Sequence, residues 1–441
     1  MNRGEQLTAL AASAMVAARP LIRFVRPDLG RSLDERIDGV GKLEEWAQSR
    51  GEGTLVWLHG ASAGELLGAV PAIEELRARR DFRLLVTHFS PSGRTALDRL
   101  HPDFAVLAPL DRPKSNRTLM AALRPDLVVF AKLDVWPGLV AAAGRAGVPA
   151  ALVNGTVRPG SSRLRWPARR LFRPAYRGLR AVGAASAEDA ERLRALGAGS
   201  EAVQITGDAS FDLARARARA ARGPGAAVDE FESVLPARPV GGRRLIAGST
   251  WEADERALLE SLGALPATSE GRFAWQLVVA PHKPSVATVR RILGDCRAGG
   301  HPAALWSDRA ALSELPAHGV IVFDEMGRLA ELYGAGEVAY VGGGLGSGGL
   351  HNVLEPAAAG VPVLFGPRYD RADAADLVAA GGGFEVTPAD LRVCLERLSR
   401  PEPARSAGEA AAAFIGAGCG AARESADLLE ALLVPETRAR A

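Results

Sequence analysis

The chain has 441 residues, enough for two domains of ordinary size, with 47% hydrophobic and 24% charged residues to build their cores. A formal net charge of +3 gives no nucleic-acid footprint. Three scattered cysteines, Cys296, Cys394 and Cys419, show no CxxC spacing, which argues against a metal site or disulfide framework and fits a reducing compartment.

The first feature in chain order is an uncharged, mostly apolar run from Leu7 to Ala18, followed by Arg19, Arg23, Arg26 and Arg31. The run is shorter than the roughly 20 residues that span a bilayer. The arginines follow the apolar run instead of preceding it, unlike a signal peptide. Two readings stay open: a helix lying on a membrane surface, with arginines on anionic headgroups, or an ordinary helix docked on the first domain.

From Thr54 the apolar runs alternate with helical patterns. Strands are expected at Leu55–Leu58, Leu84–Val86, Phe104–Leu107, Leu127–Phe130, Ala150–Val153, Ala181–Gly183 and Val203–Ile205. That rhythm predicts a parallel sheet covered on both faces, with sites beyond the carboxyl ends of its strands. The loop after the first strand reads His59-Gly60-Ala61-Ser62-Ala63-Gly64-Glu65. Glu65 begins a helix, where a carboxylate either acts as a general base or merely complements the helix terminus, with Ser62 as N-cap. The loop after the fourth strand reads Ala131-Lys132-Leu133-Asp134-Val135-Trp136-Pro137. Asp134 either belongs to the cap region of the following helix or hydrogen-bonds an acceptor hydroxyl. Between Arg158 and Arg180 lie eight arginines and no acid, interleaved with Trp166, Leu171, Phe172 and Tyr176. This segment is either a solvated helix face or a surface for an anionic partner such as a phosphorylated lipid or a membrane.

The rhythm breaks from about Leu213 to Gly242, which reads as a helix and then a linker containing proline and glycine. A second series follows: Leu245–Ala247, Leu277–Ala280, Ala303–Trp306, Val320–Phe323, Val338–Val341 and Val361–Phe365. Its loops supply Ser249-Thr250, His282-Lys283 and Met326-Gly327. After Val341 comes a glycine turn containing Gly342, Gly343, Gly344 and Gly349, then His351-Asn352 and a short helix with Glu355. Strand, glycine turn, helix and strand is a βαβ layout whose backbone N–H groups suit a phosphate, while Glu355 suits sugar hydroxyls; an ordinary βαβ turn is the other reading. No HExxH, Walker A or GxSxG pattern is present, and no metal is expected. From Pro401 to Leu433 the chain is alanine-rich and helical.

Taken together, these loops resemble the 3-deoxy-D-manno-octulosonic acid (Kdo) transferases of lipopolysaccharide assembly, glycosyltransferase family 30. The resemblance runs roughly from Arg19 to Val386 and is carried by the HGASAGE and DVWP loops, VGAASAEDAERLRALGA with ITGD, AGST, MGRLAELY and GGGLGSGGLHNVLEPAAAGVPVLFGP. It implies an α/β GT-B fold of two Rossmann-like domains with a cleft between them. It also implies inverting transfer of Kdo, or a related sugar, from a CMP-Kdo donor to a lipid A precursor, without cofactor or metal, at the cytoplasmic face of the inner membrane. Carried over by position, Glu65 is the catalytic base. Ser62, Gly64, Asp134 and Trp136 fall on the acceptor side. Ser249, Thr250, His282, Lys283, Met326, Gly327, the glycine turn, His351, Asn352 and Glu355 fall on the CMP-sugar side. The implied partners are that donor, a phosphorylated lipid, and a membrane surface met by the N-terminal helix and the Arg158–Arg180 segment, with no nucleic acid. The expected parts are residues 1–35 (membrane-associating helix), 36–225 (acceptor domain), 226–410 (donor domain) and 411–441 (a helix that packs back on the first domain). Lys132, Ser210 and Trp251 depart from the family's glutamate, lysine and histidine, and a cation survives at Lys283, shifted by one place. A GT-B enzyme with another donor, including an epimerase, and a non-catalytic sugar-nucleotide binder are the alternatives.

Overall fold

A computed structural model of the protein describes residues 3–263 and 275–434. Contacts divide the chain into two compact units, Met1–Leu213 with Cys419–Ala441, and Ala214–Gly418.

In the first unit, strands β1 (Leu55–Gly60), β2 (Arg83–His88), β3 (Phe104–Leu107), β4 (Leu127–Ala131), β5 (Ala150–Gly155), β6 (Ala181–Ala184) and β7 (Val203–Ile205) form one sheet. Their order is β3-β2-β1-β4-β5-β6-β7, and every neighbouring pair is parallel. Side chains alternate across the sheet. Leu55, Trp57, Val128 and Phe130 enter one core, while Val56, Leu58, Leu127 and Val129 enter the other. Helices cover both faces, so a strand reads as an unbroken apolar run with no polar alternation.

In the second unit, β8 (Arg243–Thr250), β9 (Trp275–Pro281), β10 (Ala303–Leu305), β11 (Val320–Val322), β12 (Val338–Val341), β13 (Val363–Phe365) and β14 (Gly383–Glu385) repeat the plan. Their order is β10-β11-β9-β8-β12-β13-β14, again all parallel. Both sheets are therefore doubly wound, as the alternating pattern predicts. In each, the strand order reverses beside the first strand, between β1 and β4 and between β8 and β12. Crevices for ligands open there, beyond the carboxyl ends.

Several local expectations change. The N-terminal segment is three helices, Arg3–Ala17, Arg19–Val25 and Pro27–Ser49, with a bend of 63° between the first two. Pro20 and Pro27 stand at the starts of the second and third, where a proline's missing N–H and its effect on the preceding residue favour a new helix over a continued one. No single helix among the described residues is long and apolar enough to cross a membrane. The helix expected to begin at Glu65 is two, Ala63–Leu67 and Val70–Arg79. The linker contains a further helix, Ala227–Val234. Strand β14 was not expected: it is an edge strand reading Gly-Phe-Glu with Glu385 exposed, so no apolar run marks it.

The unit divisions fall at 213/214 and 418/419, not at the 225/226 and 410/411 expected. The helix Ala209–Ala220 crosses the first: its Arg217 bonds Glu331 at 3.0 Å and Glu355 at 2.8 Å, which ties its second half to the later unit. At the second, Gly420 (φ 130°) separates the helices Pro401–Gly418 and Ala421–Leu433. The last helix belongs to the first unit. Asp212 accepts the N–H groups of Gly420 and Ala422 at its start. Arg79 and Arg80 pair with Glu430, each at 3.4 Å. Ala426, Leu428 and Leu429 join Ile73 and Leu76 in the core. Leu429 is fully buried, so Leu429→Ala is expected to cost about 2–5 kcal/mol, read as a lower unfolding midpoint in denaturant.

Candidate functional site

In the first unit, β1 and β4 are neighbours, so the loops that follow them meet. Glu65 is the third residue of the helix Ala63–Leu67, and its Oε2 accepts the N–H of Ala61 and, at 3.2 Å, that of Ser62. This is a helix-start acid in the capping sense. It is also half-buried and close to a second carboxylate. Burial and then the charge of Asp134 hold the Glu65 carboxyl above its ordinary value, against the two N–H groups and His59. The arrangement therefore serves both readings of Glu65 at once. Ser62 flanks the carboxylate through its N–H, Gly64 is exposed on the helix, and Trp136 lies beside Asp134.

Asp134 is more fully engaged than a residue waiting for a hydroxyl. His59 Nε2 lies 3.2 Å and Trp136 Nε1 3.0 Å from its Oδ2, and Arg163 bonds its Oδ1 at 3.3 Å. Burial alone would raise its pKa, but the His59 bond, His59, Arg163 and Trp136 together hold it below the ordinary carboxylate range. Behind it the hydrogen bonds run in one direction. Trp57 Nε1–H donates to Thr87 Oγ1 at 2.8 Å, Thr87 meets His59 Nδ1 at 2.9 Å, and His59 Nε2 then donates to Asp134. Asp134 is thus a fixed negative charge whose effect is to raise Glu65.

A base must be ionised to work. The acid limb of kcat/KM is therefore expected at higher pH than an ordinary glutamate would give, and it should vanish in a Glu65→Gln variant. Stability carries the opposite sign. The folded carboxyl holds its proton more tightly than the unfolded one, so its contribution is complete at low pH and is lost as pH rises through the folded value.

The same unit holds two apolar hollows next to this loop. One, of about 300 Å³, lies between Ala12 and Met15 of the N-terminal helix and Ala61, Asp134, Trp136 and Phe172. The other, of about 530 Å³, is lined by Met15, Leu21, Val25, Leu33, Arg36 and Phe89. Arg36 fixes its wall: it bonds the carbonyls of Phe89 and, at 2.9 Å, Ala108, and burial lowers its pKa to about 10 against the charge of Glu35. Within the arginine-rich segment Arg163 turns inward to Asp134. Arg169, Arg170 and Arg173 instead surround a hollow of about 440 Å³ with Leu164 and Trp166.

In the second unit, β9, β8 and β12 are consecutive, which brings Ser249, Thr250, His282, the glycine turn and His351 to one end of the sheet. Met326 and Gly327 follow β11, one strand further out, with Met326 70% exposed. Lys283 is exposed beside His282. Ser249 adopts φ 53° where the β8 register shifts, a strained backbone of the kind held at binding sites. Thr250 is not free: its hydroxyl donates to Glu255 at 2.9 Å. Asn352 caps the following turn through Leu354 N–H at 3.1 Å, and Glu355 is held by Arg217.

The glycine turn differs from expectation in one respect. The N–H groups of Gly342 and Gly343 are used inside the protein, by the Gly248 carbonyl and by Asp254, each at 2.9 Å. Gly343 has φ 99°, a conformation open to glycine. Asp254 is fully buried and also accepts from Trp251 N–H at 2.9 Å and Tyr340 OH at 2.8 Å. It is the anchor of the turn, and the sequence reading passed over it. An acid three residues after Trp251, in the first turn of a helix, was the available signal. Thr87 and Arg217 were also passed over, while His59 and Arg163 stand in the quoted loop and the arginine-rich segment with nothing in their spacing to mark their bonds to Asp134.

Residues 31–213 match the family described as 3-deoxy-D-manno-octulosonic-acid transferase (kdotransferase). A 3-deoxy-D-manno-octulosonic acid transferase of Bordetella pertussis is 31% identical over 388 residues, covering 85% of this chain and 86% of that protein. The Chlamydia muridarum transferase of the same name is 27% identical over 407 residues, 90% of each chain. Among solved structures, UDP-GlcNAc 2-epimerase from Neisseria meningitidis bound to UDP-GlcNAc superposes with a TM-score of 0.59 over 86% of this chain and all of that one. At 15% identity that likeness speaks for the fold alone.

Proposed function

We propose that this chain, which belongs to the 3-deoxy-D-manno-octulosonic acid transferase family, is a glycosyltransferase that moves Kdo from CMP-Kdo to a lipid A precursor in lipopolysaccharide biosynthesis. The observation that carries the mechanism is Glu65, a half-buried carboxyl raised above its ordinary value beside an apolar hollow. Glu65 takes the proton of the acceptor hydroxyl as its oxygen attacks the anomeric carbon of the sugar. A new C–O bond forms on the face opposite the leaving group. The bond to phosphate breaks, and its electron pair leaves with CMP. Inversion follows from the single displacement. Cationic and N–H groups at the carboxyl ends of β8, β9 and β12 receive the anionic leaving group, and no metal is required. The hollow lined by Arg169, Arg170 and Arg173 suits a phosphate of the lipid.

The test is a donor screen. Protein incubated with CMP-Kdo and a lipid A precursor should give a lipid heavier by one Kdo or more, with CMP released, by mass spectrometry. Absence of that product, with a rearranged sugar released from a UDP donor without lipid, would favour epimerase chemistry and overturn the reading.

The site of action in this reading is the cytoplasmic face of the inner membrane. Contact with a membrane surface is supported by Leu21, Phe24 and Val25, exposed by 66%, 87% and 61% beside Arg19, Arg23 and Arg26. Changing Leu21, Phe24 and Val25 together to Ser is expected to weaken binding to anionic vesicles by at least about tenfold, measured by flotation. Unchanged flotation would place membrane contact elsewhere.

A further inference from the structure

We propose that Trp251 is a positioning residue for the donor site: its indole N–H holds His351 in the tautomer protonated on Nδ1, so that Nδ1–H is the group offered to an anionic oxygen of the bound sugar nucleotide. This rests on the transfer reading above, and it concerns a residue that reading leaves without a role.

The argument starts from which atoms can donate. Trp251 Nε1 lies 3.2 Å from His351 Nε2. An indole nitrogen carries a proton and cannot accept. His351 Nε2 must therefore accept, and a neutral imidazole that accepts there carries its proton on Nδ1. The ring planes agree. Trp251 and His351 are inclined by only 11° with centroids 6.5 Å apart, so they lie side by side, joined edge to edge by the N–H···N bond. His282 stacks on both, 4.9 Å from Trp251 and 4.5 Å from His351. A bound anion has only acceptor oxygens. Nδ1–H can meet one, whereas the other tautomer would turn a lone pair toward it.

The surroundings keep the arrangement in place. Trp251 N–H is held by Asp254, the carboxylate that also anchors Gly343. Gly348 lies against the indole so closely that a Cβ there would come within 2.8 Å of the ring. Around His351, burial, then His282 and Arg371 disfavour the imidazolium, and only Asp254 opposes them. His282 is held down by burial and Lys283. His351 N–H reaches back to the Gly342 carbonyl at 3.2 Å, which sets the ring at the end of the glycine turn. A tryptophan kept only for packing would need the stack and not the N–H.

The experiment separates these two. Protein labelled with 15N-histidine is examined by NMR without ligand, with His351 assigned by its loss in a His351→Asn variant. The expected result is Nε2 unprotonated and Nδ1 protonated at neutral pH. Trp251→Phe keeps an aromatic stack and removes the donor. It is expected to give a mixture of tautomers and to raise the Michaelis constant for CMP-Kdo about three- to tenfold, with kcat at saturating donor changed less than about twofold. An Nε2-protonated His351 in the unaltered protein, or an unchanged Michaelis constant in the folded Phe variant, would overturn the proposal. The tautomer is read on ligand-free, unaltered protein, so it decides the matter even where the Phe variant fails to fold. A complete lack of transfer in the unaltered protein would count instead against the Kdo-transfer reading.

Discussion

Replacing Glu65 with Gln is expected to cut transfer by about 10²- to 10⁴-fold while the donor dissociation constant stays within about twofold. The amide is nearly isosteric, and its oxygen can still accept from Ala61 and Ser62 N–H, so the loop and the helix Ala63–Leu67 keep their shape. What is lost is the lone pair of an ionised carboxylate that takes the acceptor's proton. Glu65→Ala mixes two effects, because it also leaves those N–H groups unpaired and removes an acid from the first helical turn, at about 1 kcal/mol of stability. Comparing the variants separates chemistry from capping. Equal, large losses of kcat in both, with the Gln protein as stable as the original, would establish the base. Full activity in Glu65→Gln would reduce Glu65 to a cap.

The second large effect is expected at Asp254. Three donors converge on this fully buried carboxylate: Trp251 N–H, Gly343 N–H and Tyr340 OH. Asp254→Ala leaves all three without this partner, the Gly343 N–H and Tyr340 OH in buried positions. The cost is expected to be about 3–5 kcal/mol in the second unit, since each abandoned buried group costs about 1–3 kcal/mol and such losses do not add fully. The glycine turn loses its tether as well, so donor affinity should fall by more than about tenfold even where the unit remains folded. Calorimetric titration with CMP, at a temperature where circular dichroism shows the variant folded, measures this. Unaltered affinity would mean that the turn is held without Asp254.

The contrast between these two residues shows what a sequence makes legible. Glu65 stands in a loop between an apolar run and a helical pattern, and strand alternation alone puts that loop at the carboxyl end of a parallel sheet. The thirteen strands anticipated along the chain all sit within a few residues of their structural positions. Both faces of each sheet are covered, so most of the strands read as apolar runs. Asp254 lies inside a helix among other acids, Glu252 and Glu255; folding buries both Asp254 and Glu255, and it is Asp254 that meets the glycine turn. His59 and Arg163 are hidden for a related reason. Their partner Asp134 is 75 residues from one and 29 from the other, and no local pattern carries that distance. The glycine turn was visible as a turn. Which N–H groups it spends internally depended on Asp254 and Gly248, and that could not be read from the glycines themselves.

The return of the last helix to the first unit reorders the protein in time. The second unit, Ala214–Gly418, is a continuous piece of chain, and a ribosome working from the N-terminus delivers all of it before the helix Ala421–Leu433 emerges. The unit that begins first is therefore finished last. Until then Ile73 and Leu76 lack the cover that Leu428 and Leu429 provide, and the first unit carries an apolar face. A chain that stops near Gly418 leaves that part of the first unit's core uncovered.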